Sequence, residues 1–210
     1  MIKVHVANKS FGKTQVLSNV NFALPDGKCL AILGKSGVGK STLLRIIAGI
    51  DDDFEGKINR PERMAFVFQE PTLLPWRSAI DNILIVHPGL ERRGAEAMLV
   101  RVGLGGKADQ FPGQLSLGQQ RRLSLARAFA GQPELLILDE PFVSLDEKTA
   151  EQMVALTRGL MREISPTTLF VTHEREEARL LADHTIELVG SPATLAPNLV
   201  RADFIREELR

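Results

Sequence analysis

The amino-acid sequence opens with two segments in which apolar and polar residues alternate, Ile2–Ala7 and Val16–Leu24. Alternation with a period of two predicts β-strands that have one buried face. The turn signal Pro25-Asp26-Gly27 closes the second segment. We therefore expect an antiparallel pair of strands at the start of the chain.

A different pattern follows, in which short apolar runs alternate with segments of helical spacing. Continuous apolar runs are typical of strands covered on both faces, as in a parallel or mixed sheet. The predicted strands are Cys29–Leu33, Ala65–Phe68, Leu135–Leu138, Thr168–Val171 and Thr185–Val189. The predicted helices are Lys40–Ala48, about Gly118 to Ala130, Glu147 to about Glu163, and Glu174–Ala182. This order predicts an α/β fold built around a mixed sheet.

One long stretch lacks a strong strand pattern, between Gln69 and Leu115. Within it, Ser78–Val86 and Arg92–Val102 have helical spacing. We predict one domain spanning residues 1–210, with a helical subdomain inserted at about residues 72–130. The last segment, Asn198–Arg210, predicts a short amphipathic helix.

Composition excludes several classes of function. The 26 basic and 26 acidic side chains balance, so no charge excess indicates a nucleic-acid partner. Cys29 is the only cysteine, which excludes a disulfide framework and a cysteine-based metal site within one chain. No segment approaches the roughly 18 consecutive apolar residues of a membrane span. Any role at a membrane is therefore expected to depend on a partner.

The segment between the first apolar run and the first predicted helix matches the P-loop pattern. Its glycines allow a tight turn whose N–H groups, together with the helix N-terminus, bind phosphate oxygens. The lysine adds a positive charge near the β- and γ-phosphates, and the hydroxyl that follows can ligate Mg²⁺. The candidate phosphate-binding residues are Gly34, Lys35, Ser36, Gly37, Val38, Gly39, Lys40, Ser41 and Thr42.

Two adjacent carboxylates end a later apolar strand, Asp139 and Glu140. The carboxyl ends of strands are where α/β sheets bind ligands. Asp139 suits the role of a magnesium ligand, and Glu140 suits a base that polarises the attacking water. An apolar run followed by Asp-Glu is also common where a strand enters a polar turn, but its combination with a P-loop favours an ATPase site.

Six motifs in order make the chain resemble the ABC ATPase family from about Met1 to Gly190. The resemblance implies a P-loop core with N-terminal antiparallel strands and an inserted helical subdomain. It implies that Gln69, after the strand Ala65–Phe68, contacts Mg²⁺, and that His173 contacts the γ-phosphate. Taken alone, these two residues also fit an ordinary loop glutamine and a structural histidine.

Leu115-Ser116-Leu117-Gly118-Gln119 resembles the family signature, which usually has glycine where this chain has Leu117. The resemblance implies that Ser116, Gly118 and Gln119 bind a γ-phosphate, although Ser116 also suits a plain helix cap. A positive φ at Leu117 would strain that residue.

Two further residues have equally ordinary alternatives. Asp146, in Ser144-Leu145-Asp146, resembles the family's D-loop and fits a helix cap equally well. Phe11 lies where the family places an aromatic residue that stacks on adenine, and core packing is its alternative.

The resemblance also implies partners. Two copies of the chain would form a head-to-tail dimer with MgATP between the P-loop of one and the signature helix of the other. Each would lie on the cytoplasmic face of the cell membrane, bound to permease subunits and served by an extracytoplasmic substrate-binding protein. Residues Thr72–Arg77 and Ala79–Ile83 are similar to importers of the nitrate, sulfonate and taurine group. Trp76 suits either a partner contact or packing within the helical subdomain.

Other P-loop functions stay open at the level of sequence. A P-loop kinase would share the phosphate cradle, and so would an ATPase with no role in transport. A nucleotide-binding module with weak hydrolysis would follow if Leu117 impairs the signature.

Overall fold

The computed structural model of the protein describes residues 1–196. The helix predicted at Asn198–Arg210 lies outside the described residues. The chain divides into two compact units. The first unit comprises Met1–Met64, Glu134–Glu140 and the chain from Pro166 onward, and the second comprises Ala65–Pro133 and Pro141–Ser165.

The described chain contains nine strands and six α-helices, which alternate strictly from Leu135 to Gly190. The strands are β1 (Ile2–Phe11), β2 (Thr14–Leu24), β3 (Cys29–Leu33), β4 (Glu55–Asn59), β5 (Met64–Val67), β6 (Leu135–Asp139), β7 (Thr167–Val171), β8 (His184–Gly190) and β9 (Ala193–Leu195). The helices are α1 (Lys40–Ala48), α2 (Ala79–Leu84), α3 (Arg92–Arg101), α4 (Leu117–Ala130), α5 (Glu147–Ile164) and α6 (Arg175–Leu181).

The first unit is built on strands in the order β4-β1-β2-β9-β8-β3-β7-β6. β1 and β2 pair antiparallel, which confirms the strand pair expected at the start of the chain. β3 pairs in parallel with both β7 and β8, and β6 pairs in parallel with β7. Every residue of β3, β6 and β7 is buried, so their largely apolar sequences reflect coverage on both faces. The mixed sheet with helices confirms the predicted α/β class.

α1 packs against β6 and β7 through its apolar side. Leu43, Leu44, Ile46 and Ile47 are fully buried, and their spacing places them on one helical face. The helix ends at Gly49, whose positive φ of 70° allows its N–H to bond the carbonyls of the last turn. This packing fixes the N-terminus of α1 at the carboxyl edge of the parallel strands.

The second unit contains the four helices α2 to α5 and most of β5. α4 packs against α2, α3 and α5. Asn82 is fully buried in α2, and its amide bonds the backbone of Leu74, Arg77 and Ser78. These bonds hold the loop that precedes α2.

Among residues 1–196, no helix is both long enough and apolar enough to cross a membrane.

Candidate functional site

The loop between β3 and α1 has the backbone that a phosphate cradle requires. Gly37 and Gly39 have φ values of 77° and 112°, which are unfavourable for residues with a side chain. A Cβ at Gly39 would lie 2.9 Å from Leu17 Cδ2, and a Cβ at Gly34 would lie 2.9 Å from the Leu188 carbonyl. Glycine is therefore needed in this loop for both conformation and space.

The P-loop lysine folds back over its own loop. Lys40 Nζ donates to the carbonyls of Gly34, at 2.9 Å, and Lys35, at 3.1 Å. The side chain is only 4% exposed, and Lys40 is the first residue of α1. Positive charge is thereby concentrated at a helix N-terminus, where the backbone dipole also favours an anion.

Asp139 lies at the end of β6 and is hydrogen-bonded to the P-loop helix. Ser41 Oγ donates to Asp139 Oδ1 at 3.0 Å. Burial raises the pKa of Asp139, the bond from Ser41 opposes that rise, and the charge of Glu140 adds to it. A hydroxyl and a carboxylate are oxygen ligands of the type Mg²⁺ prefers. A cation would also offset the negative charge that burial disfavours, so the residues present fit the metal.

Glu140 lies between two groups that can carry positive charge. Its Oε1 is 3.3 Å from Lys40 Nζ, and its Oε2 is 3.5 Å from His173 Nδ1. The backbone at Glu140 has a positive φ of 45°, and its N–H bonds the Val171 carbonyl at 3.0 Å. A non-glycine residue held at positive φ is uncommon and is found disproportionately at functional sites. The pairing aims the carboxylate at the P-loop.

His173 follows β7, and hydrogen bonds hold its two chain neighbours, Thr172 and Glu174. The Thr172 hydroxyl donates to Glu177 Oε2 at 2.5 Å and accepts from the Glu174 N–H at 3.0 Å. Burial raises the pKa of Glu177, although its bond with Thr172 opposes the rise. The sequence did not indicate Glu177, because one glutamate in an acidic helix has no distinguishing pattern.

Phe11 ends β1 and is 54% exposed, which excludes the alternative of core packing. Lys9 Nζ lies 4.6 Å from the centroid of the Phe11 ring. Nothing in the sequence indicated that Lys9 would lie beside Phe11.

The first unit therefore brings together the P-loop, Asp139, Glu140 and His173. Phe11 also belongs to this unit. The predicted site residues of the second unit each have their own local geometry, and they are Gln69, Ser116, Gly118, Gln119 and Asp146. Gln69 is exposed and lies two residues after Val67, the last residue of β5.

The signature segment forms the N-terminus of α4. Ser116 caps the helix: its Oγ accepts from the Gln119 N–H, and Gln119 Oε1 accepts from the Ser116 N–H. This capping box fixes the loop before the helix. Leu117 is the first helical residue and is 44% exposed, so it does not have the positive φ that would strain a leucine. The helical backbone accepts leucine where the family usually has glycine.

The structure bears on the roles that the sequence leaves open for two other residues of the second unit, Asp146 and Trp76. Asp146 caps α5, accepting from the Thr149 N–H at 3.0 Å. Hydrogen bonding with Thr149, first through its side chain and then through its N–H, lowers the pKa of Asp146. The observed helix cap does not conflict with a D-loop role for Asp146. Trp76 is 69% exposed, which excludes packing within the core of this unit.

Known proteins share this architecture. Residues 17–143, more than half of the chain, match the family described as ABC transporter. The chain belongs to the ABC transporter family. The aliphatic sulfonates import ATP-binding protein SsuB 2 of Paracoccus denitrificans is 42% identical over 88% of this chain and 76% of its own length. SsuB 1 of Frankia alni is 40% identical over 100% of this chain and 81% of its own length.

A solved structure supports the same assignment for this ABC protein. A dimeric, post-hydrolysis ATP-binding cassette bound to ADP and Pi has a TM-score of 0.79 and 30% identity, covering 93% of this chain and 96% of that one. The resemblance found from the motifs is thus confirmed, and the chain is an ABC ATPase.

Proposed function

We propose that the chain is the ATPase subunit of an importer of the nitrate, sulfonate and taurine type. The importer type is supported by the relatives that are named as sulfonates import ATP-binding proteins. The observation that supports ATP hydrolysis most directly is the cluster in the first unit, where Glu140 lies between Lys40 and His173 and Ser41 contacts Asp139. Such a set fits hydrolysis, because nucleotide binding alone does not need a carboxylate paired as Glu140 is.

The chemistry follows from these groups. The P-loop N–H groups and Lys40 bind the β- and γ-phosphates of ATP. Mg²⁺, held by Ser41 and Asp139, would supply Lewis-acid neutralisation of the phosphate charge. A γ-phosphate competes with Glu140 for Lys40, and its arrival frees the carboxylate to accept a proton from water. His173, on the other oxygen of Glu140, keeps the carboxylate oriented while that exchange takes place.

We propose partners on the same basis. A second copy would supply the signature segment, whose exposed N-terminus at Ser116 can receive a γ-phosphate, with Gly118 and Gln119 beside it. Asp146 would act in the same dimer, and Gln69 would contact Mg²⁺. The exposed Trp76 is a candidate contact for the permease.

In the full system, an extracytoplasmic substrate-binding protein would deliver the transported compound. The chain would lie on the cytoplasmic face of the membrane, peripheral to it and held there by the permease. The helical subdomain at about residues 72–130 would carry the surface that meets the permease.

The test is the change Glu140→Gln, measured as single-turnover phosphate release and as equilibrium binding of MgATP. We expect hydrolysis to fall by about two to four orders of magnitude, as for loss of a positioned base, while ATP still binds. Glu176→Gln is the matched control, because Glu176 is exposed and pairs with Arg179. Hydrolysis by Glu140→Gln within about tenfold of the unmodified chain would remove Glu140 from this role.

A further inference from the structure

Lys9 is buried to an unusual degree for a lysine. Its side chain is 1% exposed, although it lies near the end of β1. Its ammonium donates to Asp51 Oδ1 at 2.8 Å and to the Asp53 carbonyl at 2.5 Å, and lies 3.4 Å from Asp53 Oδ2. Burying a cation is costly unless it is paired, and here three oxygens compensate it. The chain thus holds the Lys9 ammonium, paired with these oxygens, at a fixed point of the first unit.

That charge lies against an aromatic ring. Lys9 Nζ is 4.6 Å from the centroid of Phe11, within the range of a cation–π interaction. Residues 9 and 11 are two apart on a strand, so their side chains project to the same side. Phe11 is nevertheless 54% exposed, which leaves ring surface accessible beyond the part that meets the ammonium.

The partners of Lys9 connect this ring to the phosphate cradle. Asp51 and Asp53 lie in the segment that follows α1, the helix whose N-terminus is the end of the P-loop. One ammonium therefore holds both the aromatic residue at the end of β1 and the chain that leaves the P-loop helix.

We propose that Lys9 is a positioning residue for the adenine base, holding Phe11 by one ring face so that the base stacks on the other. This rests on the proposed function, ATP binding at the P-loop, and on the family resemblance, which implies that Phe11 stacks on adenine. The buried charge limits rotation of the ring and withdraws electron density from it, which favours stacking with an electron-rich purine. Lys9 does not touch ATP, and its effect passes through Phe11 alone.

The experiment compares the affinity of the full chain for MgATP with its affinity for magnesium triphosphate, which lacks the base, by isothermal titration calorimetry. In Lys9→Met we expect ATP affinity to fall about fivefold while triphosphate affinity stays within about twofold. In a Phe11→Ala background we expect Lys9→Met to cause no further loss. Lys3→Met is the matched control, an exposed lysine on the same strand, and it should leave both affinities unchanged.

Other outcomes separate the hypotheses. Lys9→Met could weaken the binding of ATP and of triphosphate equally, or it could lower ATP affinity in the Phe11→Ala background as much as it does in the unmodified chain. Either result would show that Lys9 only stabilises the fold, and would overturn the proposal. No difference between ATP and triphosphate in the unmodified chain would also overturn it while leaving the phosphate site intact. Failure of the unmodified chain to bind either probe would refute the proposed function itself.

A second variant guards against misfolding of Lys9→Met. Removing the ammonium leaves Asp51, which is 19% exposed, without its cation. The double change Lys9→Met/Asp51→Asn removes that uncompensated charge and keeps the oxygen that accepts from the Asp53 N–H. We expect the same selective fivefold loss for ATP in this variant, and an unchanged ATP affinity would overturn the proposal.

Discussion

Replacing Gly39 by alanine tests whether the P-loop backbone is as constrained as its geometry indicates. Gly39 has φ 112° and ψ 8°, a left-handed backbone conformation that residues with a side chain rarely adopt, and this strain costs about 1–3 kcal/mol. The added Cβ would also lie 2.9 Å from Leu17 Cδ2 and 3.1 Å from Val16 Cγ1. Overpacking against these β2 side chains costs about 1–3 kcal/mol more. We therefore expect Gly39→Ala to lower the free energy of unfolding by about 2–6 kcal/mol.

Gly37→Ala is the matched control in the same loop. Its φ of 77° is also left-handed, and a Cβ there would meet no heavy atom within 4 Å. The expected loss is about 1–2 kcal/mol from backbone strain alone. Guanidinium unfolding of the nucleotide-free chain, followed by far-ultraviolet circular dichroism, measures both variants. Equal unfolding free energies for the two variants would refute the argument that space beside β2, and not only φ, requires glycine at Gly39.

Three further outcomes follow from the structure. Because burial raises the pKa of Asp139, its ionised form destabilises the fold at neutral pH. Asp139→Asn should raise the melting temperature at neutral pH, and this gain should disappear as the pH falls below the ordinary carboxyl pKa. The same change should abolish ATP hydrolysis, because Asp139 is a proposed Mg²⁺ ligand. Leu117→Gly should change ATP-driven dimer affinity, measured by analytical ultracentrifugation, by less than about threefold, because Leu117 already has a helical backbone. Burial, with the nearby Asp183, raises the pKa of the Cys29 thiol to about 12, so a thiol reagent should modify Cys29 only in denaturant.

The sequence predicted those elements whose apolar pattern follows from burial alone. β3 and α1 have the bounds that the sequence predicts. β3 is apolar throughout, and α1 begins at the P-loop lysine and ends just before Gly49. β4 was not predicted, since its residues Glu55–Asn59 are mostly exposed and polar. It pairs with β1, and that pairing is a tertiary interaction with no local signal.

Lys9 shows why part of the site could not be predicted. In β1 the buried positions are Ile2, Val4 and Val6, and the same period would bury Asn8. The pairing with β4 shifts between Val6 and Asn8, so β1 has a bulge at that point. A bulge reverses which side chains face inward, and it places Lys9 in the interior.

The contacts of Glu140 could not be predicted from the sequence either. Its place after Asp139 indicated a base, but nothing in the local sequence indicated pairing with Lys40 and His173. Those contacts depend on the parallel alignment of β6 and β7, which brings distant segments to one edge of the sheet. The P-loop residues, in contrast, are contiguous, and a local pattern was enough to find them.

We have proposed that this chain binds MgATP in its P-loop and closes it against the signature segment of a second copy. The most direct test is the molecular mass in solution of Glu140→Gln protein, by light scattering, with and without MgATP, against Glu140→Gln/Ser116→Arg. We expect a dimer that forms only with MgATP and is lost in the Ser116→Arg variant, since an arginine at the cap of α4 disrupts the capping box. A protein that binds MgATP tightly and stays monomeric would contradict the account.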